Sequence, residues 1–249
     1  MDYCWQNDCP EETILNQDDM IRMLDDLLRD ESKWWDSFYA DRSQQVPFFV
    51  DLPDESLVSW FDNHQLQAGR VLELGCGPGR NAIYLAKQGC CVDAVDISPE
   101  SIKWAKERAE EYKVNINFIC SSIFELSIDA EEYDLVYDAG CFHHIPPHRR
   151  MSFLSLISTS LKPGGAFCLT CMGAASPEEM GGADITDWQV YRDKSMHGGL
   201  GYSRERLQRI FGSAFDIIEL RRMRKHTQQD QVFGEPFLWV GLFRKPEVR

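Results

Sequence analysis

Apolar residues follow two rhythms along this chain. Between residues 70 and 172, short strand-like apolar runs at 70–75, 91–96, 115–120, 133–138 and 165–172 are separated by stretches with helical spacing at 79–88, 99–112 and 147–161. "LKPGG" at 161–165 reads as a helix stop followed by a turn. A helix from Ser203 to Phe211 and two further strands, about 214–223 and 236–244, complete the pattern. Strands that alternate with helices predict an α/β fold: a doubly wound, mainly parallel, seven-stranded Rossmann-like sheet. In such sheets ligands bind beyond the carboxyl ends of the strands, where the strand order reverses.

The chain ahead of residue 66 has a different character. Residues 11–30 place Ile14, Ile21, Leu24, Leu27 and Leu28 near one helical stripe, and an unusually aromatic stretch follows. Pro47 and Pro53 interrupt that stretch, and Asp54 is placed to cap a helix running through Phe61. Residues 1–65 are therefore expected to form an acidic, aromatic helical cap and residues 66–249 the sheet domain. The glycine-rich segment at about 173–202 has little periodicity and is expected to be a lid inserted after the fifth strand.

Charge sharpens this division. Residues 1–65 carry 16 acidic and 4 basic residues, whereas the rest of the chain is nearly neutral, and the net charge is −14. A broad acidic surface repels phosphate backbones, so nucleic acid is not the expected partner. There is no run of 18 apolar residues, and "MDYCWQNDCPEE" has no apolar core, so neither a membrane span nor a signal peptide is expected. Nine cysteines without framework spacing suit reduced thiols in the cytoplasm. Cys168 and Cys171 lie three apart on a strand and so face opposite ways, and no second pair stands at zinc-ribbon spacing, so no metal is expected. In "LRRMRKH" at 220–226, alternation puts Arg222 and Arg224 on one face, where they would meet an anionic substrate or balance the acidic appendage.

"VLELGCGPGRN" at 71–81 runs from a strand through alternating glycines into a helix. A dinucleotide fingerprint needs a small residue where Arg80 stands, and a phosphate loop needs Gly-Lys-Ser/Thr, so both readings are weakened. The E-x-G-x-G-x-G spacing of Glu73, Gly75, Gly77 and Gly79 resembles the first motif of class I S-adenosylmethionine (SAM) dependent methyltransferases. Asp96 follows 21 positions after Gly75 in "VDISPESIKWAKERA", which has that family's cadence.

The resemblance covers residues 70 to about 172 and implies SAM as cofactor. It implies that the glycines let the backbone approach the ligand, with Cys76 and Asn81 in the same loop, and that Glu73 places the ammonium. Asp96, followed by Ile97, accepts the ribose hydroxyls, with Ser98 free to cap the next helix. Ser122 and Ile123 stand where the family holds adenine, although the usual aspartate is missing.

"YDLVYDAGCFHHIPPHRR" at 133–150 ends the fourth strand, which faces the transferable methyl in this family. It lacks both the N/D/S-P-P-aromatic pattern of adenine- and glutamine-methylating enzymes and the Pro-Cys of cytosine-C5 enzymes. Asp138, His143 and His144 are the candidate catalytic residues; Asp138 is equally placed to orient the cofactor. His148, Arg149 and Arg150 are expected on a solvent-facing helix. The order W-x-x-x-Y/F…VPFF resembles thiopurine-, halide- and tellurite-type methyltransferases, and Tyr39 is the ring expected to touch SAM or substrate. The implied reaction is methyl transfer to sulfur or oxygen of a small molecule. The alternatives are methylation of a protein and a non-catalytic SAM-binding regulator.

Overall fold

The computed structural model describes residues 13–176, 180–226 and 230–247. The first twelve residues of the expected cap and residues 177–179 of the expected lid lie outside them. The sheet strands are β1 (Arg70–Leu74), β2 (Cys91–Asp96), β3 (Asn117–Cys120), β4 (Tyr133–Ala139), β5 (Leu161–Met172), β6 (Asp216–Arg222) and β7 (Leu238–Arg244). Their order is β3-β2-β1-β4-β5-β7-β6. All pair in parallel except β7, which is antiparallel to both β5 and β6. The order reverses between β1 and β4, which places the site at their carboxyl ends.

Period-two alternation splits the interior into two cores. Leu72, Leu74, Val136, Phe167, Leu169 and Cys171 face one side, with Phe153 of α6 (Arg150–Ser160) and Phe211 of α8 (Arg204–Phe211). Val71, Val92, Ala94, Leu135, Tyr137 and Cys168 face the other. There they meet Leu57 of α3 (Glu55–Asp62), Leu85 of α4 (Arg80–Lys87) and Ile102 of α5 (Pro99–Tyr112). Cys168 and Cys171 thus lie on opposite faces.

Three expectations are corrected. "LKPGG" is no free turn: β5 already begins at Leu161, and the pairing slips between Tyr133↔Leu161 and Leu135↔Ala166, so the glycines form an irregularity within the strand. The stripe at 11–30 is broken. Helix α1 (Gln17–Asp26), capped by the Asn16–Asp19 box, ends with Leu27 as its C-cap, and Asp30 caps a second helix, α2 (Glu31–Ala40). The expected lid is more ordered than its composition suggests. It contains α7 (Asp187–Asp193), with Thr186 as N-cap, and its ends are tied by bridges at Gly173↔Tyr202 and Ala183↔Leu200. Val190, Leu200 and Tyr202 are fully buried.

Candidate active site

The strand tips and the cap enclose a cavity of about 730 Å³. Along the sheet edge it is lined in turn by Ser122 and Ile123 after β3, Asp96 and Ile97 after β2, Gly75 after β1, Ala139, Gly140 and Cys141 after β4, and Thr170 of β5. Trp34, Trp35, Phe38 and Tyr39 of α2 roof it, and Phe48, Met172, Met196, Phe233 and Phe237 extend it into an apolar chamber.

The glycine loop is built for close approach. Gly75 and Gly77 have φ of +65° and +51°. A Cβ on Gly75 would lie 2.7 Å from that of Cys141, and one on Gly77 would lie 3.0 Å from the Tyr39 hydroxyl. The Tyr39 ring therefore sits directly on the loop, stacked between Trp35 and Phe49 at centroid distances of 5.7 and 5.8 Å.

Two acids flank the loop from one face of the sheet. Asp96 is buried; its Oδ2 accepts from Gly77 N–H at 2.8 Å and its Oδ1 from Ser98 N–H at 2.9 Å. Ser98 itself caps α5 through Ser101 N–H. Each Asp96 oxygen keeps a lone pair for a further donor. Glu73 is 1% exposed, and its Oε2 has no hydrogen-bond partner among the described residues. Burial pushes its carboxyl well above the usual carboxylate range, against the pull of the Arg80 cation.

The β4 candidates divide. Asp138 Oδ1 accepts three backbone N–H groups, from Gly140, Cys141 and Phe142, at 3.1, 2.9 and 3.2 Å. It shapes the turn after β4 and is not part of the cavity wall. Burial raises its carboxyl to about 7 even against those three donors. His143 and His144 do line the cavity, each with an Nδ1 that has no hydrogen-bond partner among the described residues. Desolvation pushes His143 down to about 3 and His144 well below the ordinary histidine range, so both rings stay neutral.

Of the expected cofactor contacts, Tyr39, Gly75, Asp96, Ile97, Ser122 and Ile123 meet at the cavity. Four others stand behind the cavity wall, in the loop's own packing. Cys76 is buried in the core beside β1, and Gly79 caps α4 in a left-handed conformation against Ala105. Gly77 lies beneath Tyr39, and Asn81 accepts the N–H of Asp54 at 2.9 Å.

Asp54 stands before α3, but its side chain does not cap that helix. It is fully buried and accepts from Tyr137 Oη at 2.7 Å and Thr170 Oγ1 at 2.9 Å, while Arg80 Nη1 lies 2.5 Å from its Oδ1. The sequence reading missed this cluster, having used Arg80 only as an obstacle to a dinucleotide.

The expectation of a solvent-facing 148–150 is also corrected. His148 lies between Asp25 of α1 (Nε2–Oδ1 2.7 Å) and the Tyr191 hydroxyl of α7 (Nδ1–Oη 2.8 Å). Arg149 also grips the Asp25 carboxylate, and Arg150 pairs with Asp187 at 2.6 Å. These residues tie the cap to α7. At the other end β6 stops at Arg222, and the expected Arg222–Arg224 face is not formed: the Arg221 guanidinium pairs with Glu55 of the appendage at 2.5 Å, Arg224 meets Glu55 only through its backbone N–H at 2.9 Å, and Arg222 donates to the Phe237 carbonyl.

Comparison with known proteins agrees with this geometry. Residues 71–165 match the family model of a methyltransferase domain. The chain thus carries a methyltransferase domain over that stretch, in agreement with its resemblance to the class I SAM-dependent methyltransferases. It is 37% identical over 100 residues to a ubiquinone biosynthesis O-methyltransferase of Coxiella burnetii, an alignment that covers 40% of this chain and 42% of that protein. It is 30% identical over 167 residues to the cyclopropane-fatty-acyl-phospholipid synthase of Escherichia coli, covering 66% and 40% respectively. The chain spans about two fifths of the length of these curated relatives. The fold resembles that of the Burkholderia thailandensis 1,6-didemethyltoxoflavin-N1-methyltransferase, with a TM-score of 0.65 at 19% identity over 94% of this chain and 93% of that one.

SAM is the cofactor of this methyltransferase family, and the residues present fit it. The orphaned Glu73 oxygen lacks the donor that an ammonium supplies, and Asp96 has lone pairs free for a diol. Among the described residues no group of three or more His, Cys, Asp or Glu side chains is placed to hold a metal ion, and no helix is long and apolar enough to cross a membrane.

Proposed function

We propose that this chain transfers the methyl group of SAM to sulfur or oxygen of a small, largely apolar molecule, leaving S-adenosylhomocysteine. The observation that carries this reading is the single cavity running from the Asp96–Ser122 end, past Gly75 and the tip of β4, into the aromatic and methionine-lined chamber. SAM supplies an electrophilic methyl on a sulfonium. The protein's part is to align an acceptor with it, and alignment alone can contribute roughly 7–11 kcal/mol.

Asp96 holds the ribose diol, Ser122 and Ile123 bracket the adenine, and Glu73 takes the ammonium. The Tyr39 and Trp35 rings roof the site, where an aromatic face favours a cation by about 0.5–2 kcal/mol. Residues up to 65 act as the cap and about 173–202 as the lid; the Asp25–His148–Tyr191 contacts hold the two together over the chamber and exclude water.

His144, neutral and facing the cavity, accepts a hydrogen bond from the incoming S–H or O–H. Rings this reluctant to take a proton suit an acceptor that ionises readily, a thiol or an acidic hydroxyl. His143 and Asp138 support that tip of β4. A panel of hydrophobic thiols, phenols and aliphatic alcohols, read by S-adenosylhomocysteine release and product mass, tests this. Thiols and acidic phenols should be methylated and aliphatic alcohols should not. Turnover on protein pools alone would overturn the reading.

A further inference from the structure

Arg80 is a buried cation, 8% exposed, in the wall of the cavity. Its Nη1 donates to the Leu52 carbonyl at 3.0 Å and lies 2.5 Å from Asp54 Oδ1. Its Nε and Nη2 donate no hydrogen bond to the described residues. A guanidinium is a fork of five donors, and this one uses a single nitrogen to hold itself in place. The anchor is rigid. Asp54 is fixed from the other side by Tyr137 and Thr170, and the Phe233 ring lies 4.4 Å from the guanidinium carbon.

Arg80 also faces Glu73 electrostatically. Of the charges acting most strongly on that carboxyl, Asp54, Asp96 and Asp138 are acidic and Arg80 is the one cation. Arg80, with two idle nitrogens, stands in the cavity wall, and Glu73, with an orphaned oxygen, is buried behind that wall within reach of its charge. Such a pair is complementary to a zwitterion, an α-ammonium beside an α-carboxylate. A lone acid would select only the ammonium.

Resting on the SAM reading above, we infer that Arg80 is the carboxylate anchor of the site: its free nitrogens bind the α-carboxylate of the cofactor's amino-acid end, while Asp54, Tyr137 and Thr170 hold the guanidinium in position. The fork geometry suits a carboxylate.

The test uses the full chain and three ligands, with dissociation constants measured by calorimetry: S-adenosylhomocysteine, its decarboxylated analogue, and 5′-methylthioadenosine, which lacks the amino-acid end. Losing a charge-assisted contact should weaken wild-type binding of the decarboxylated analogue roughly 10- to 100-fold relative to S-adenosylhomocysteine. In the Asp54→Asn/Arg80→Met double variant, which removes both buried charges together, decarboxylation should make almost no difference. Binding of 5′-methylthioadenosine should be the same in both proteins. Equal wild-type affinity for the decarboxylated analogue and S-adenosylhomocysteine would overturn the inference without any variant. So would a double variant that weakens all three ligands alike, which marks a structural role. Wild-type protein that binds none of the three would instead overturn the SAM reading itself.

Discussion

Removing the charge of Asp54 tests whether the floor of the site is held by an ion pair. In Asp54→Asn the carboxamide oxygen still accepts from Tyr137 Oη and Thr170 Oγ1, now at 2.7 and 2.9 Å from Asp54, and the backbone N–H still donates to Asn81. What is lost is the negative charge beside Arg80, and the amide NH2 that replaces Oδ1 sets a donor against the guanidinium donors. Stripping one partner from a buried pair costs about 3–5 kcal/mol. Arg80 borders the cavity and is not sealed in the core, so the lower end applies, about 3 kcal/mol. For a chain of this size that corresponds to roughly 6–12 °C in Tm. Urea unfolding with matched m-values, alongside calorimetric Tm, measures it. The Asp54→Asn/Arg80→Met double variant should recover more than half of the loss, because no unpaired charge remains. An Asp54→Asn protein within about 1 kcal/mol of wild type would refute the ion-pair account.

Three further perturbations follow from the same geometry. Gly75→Ala puts a Cβ 2.7 Å from that of Cys141 on a backbone with φ of +65°, so S-adenosylhomocysteine binding by calorimetry should fall at least tenfold, with about 1–2 kcal/mol lost in urea stability. Tyr39→Phe should leave stability unchanged, because the ring packs by stacking and its hydroxyl takes no hydrogen bond among the described residues, whereas Tyr39→Ala should cost about 3–5 kcal/mol by opening the stacked roof. Asp138 has its folded-state pKa raised from 3.8 to about 7, so between these values the unfolded chain releases a proton that the native protein keeps. Its contribution to stability is therefore fully present below about pH 4 and is lost as pH rises to 7. The urea midpoint of Asp138→Asn should gain on wild type across that range, and a constant difference would contradict the assignment.

The sheet was legible because each strand is a short apolar run bounded by a turn, and β2 at Cys91–Asp96 begins and ends where the pattern does. The motif residues Gly75, Asp96, Ser122 and Ile123 were legible for the same reason: they sit at strand ends, where sequence spacing becomes spatial order. Long-range pairing was hidden. Nothing in the sequence joins Asp54 to Tyr137 and Thr170, 83 and 116 residues away, or Asp25 to His148, 123 residues away. The basic run His148–Arg150 looked like a solvated helix face because its acidic partners lie on α1 and α7. Helix α7 was missed because glycines on either side masked a short capped turn; Thr186 followed by an acidic first turn was the available signal. The buried role of Arg80 was concealed by its type, since arginine one residue past a glycine loop reads as exposed unless an acid is known to meet it.

The central claim is that this cavity holds SAM. Thermal unfolding of the full chain with SAM, S-adenosylhomocysteine and NAD in separate samples tests it most directly. A ligand at 100 times its dissociation constant adds about 2.7 kcal/mol, or roughly 5–10 °C for a chain of this size. The account predicts that shift with both SAM and S-adenosylhomocysteine and none with NAD. A shift with NAD and none with the SAM pair would contradict it.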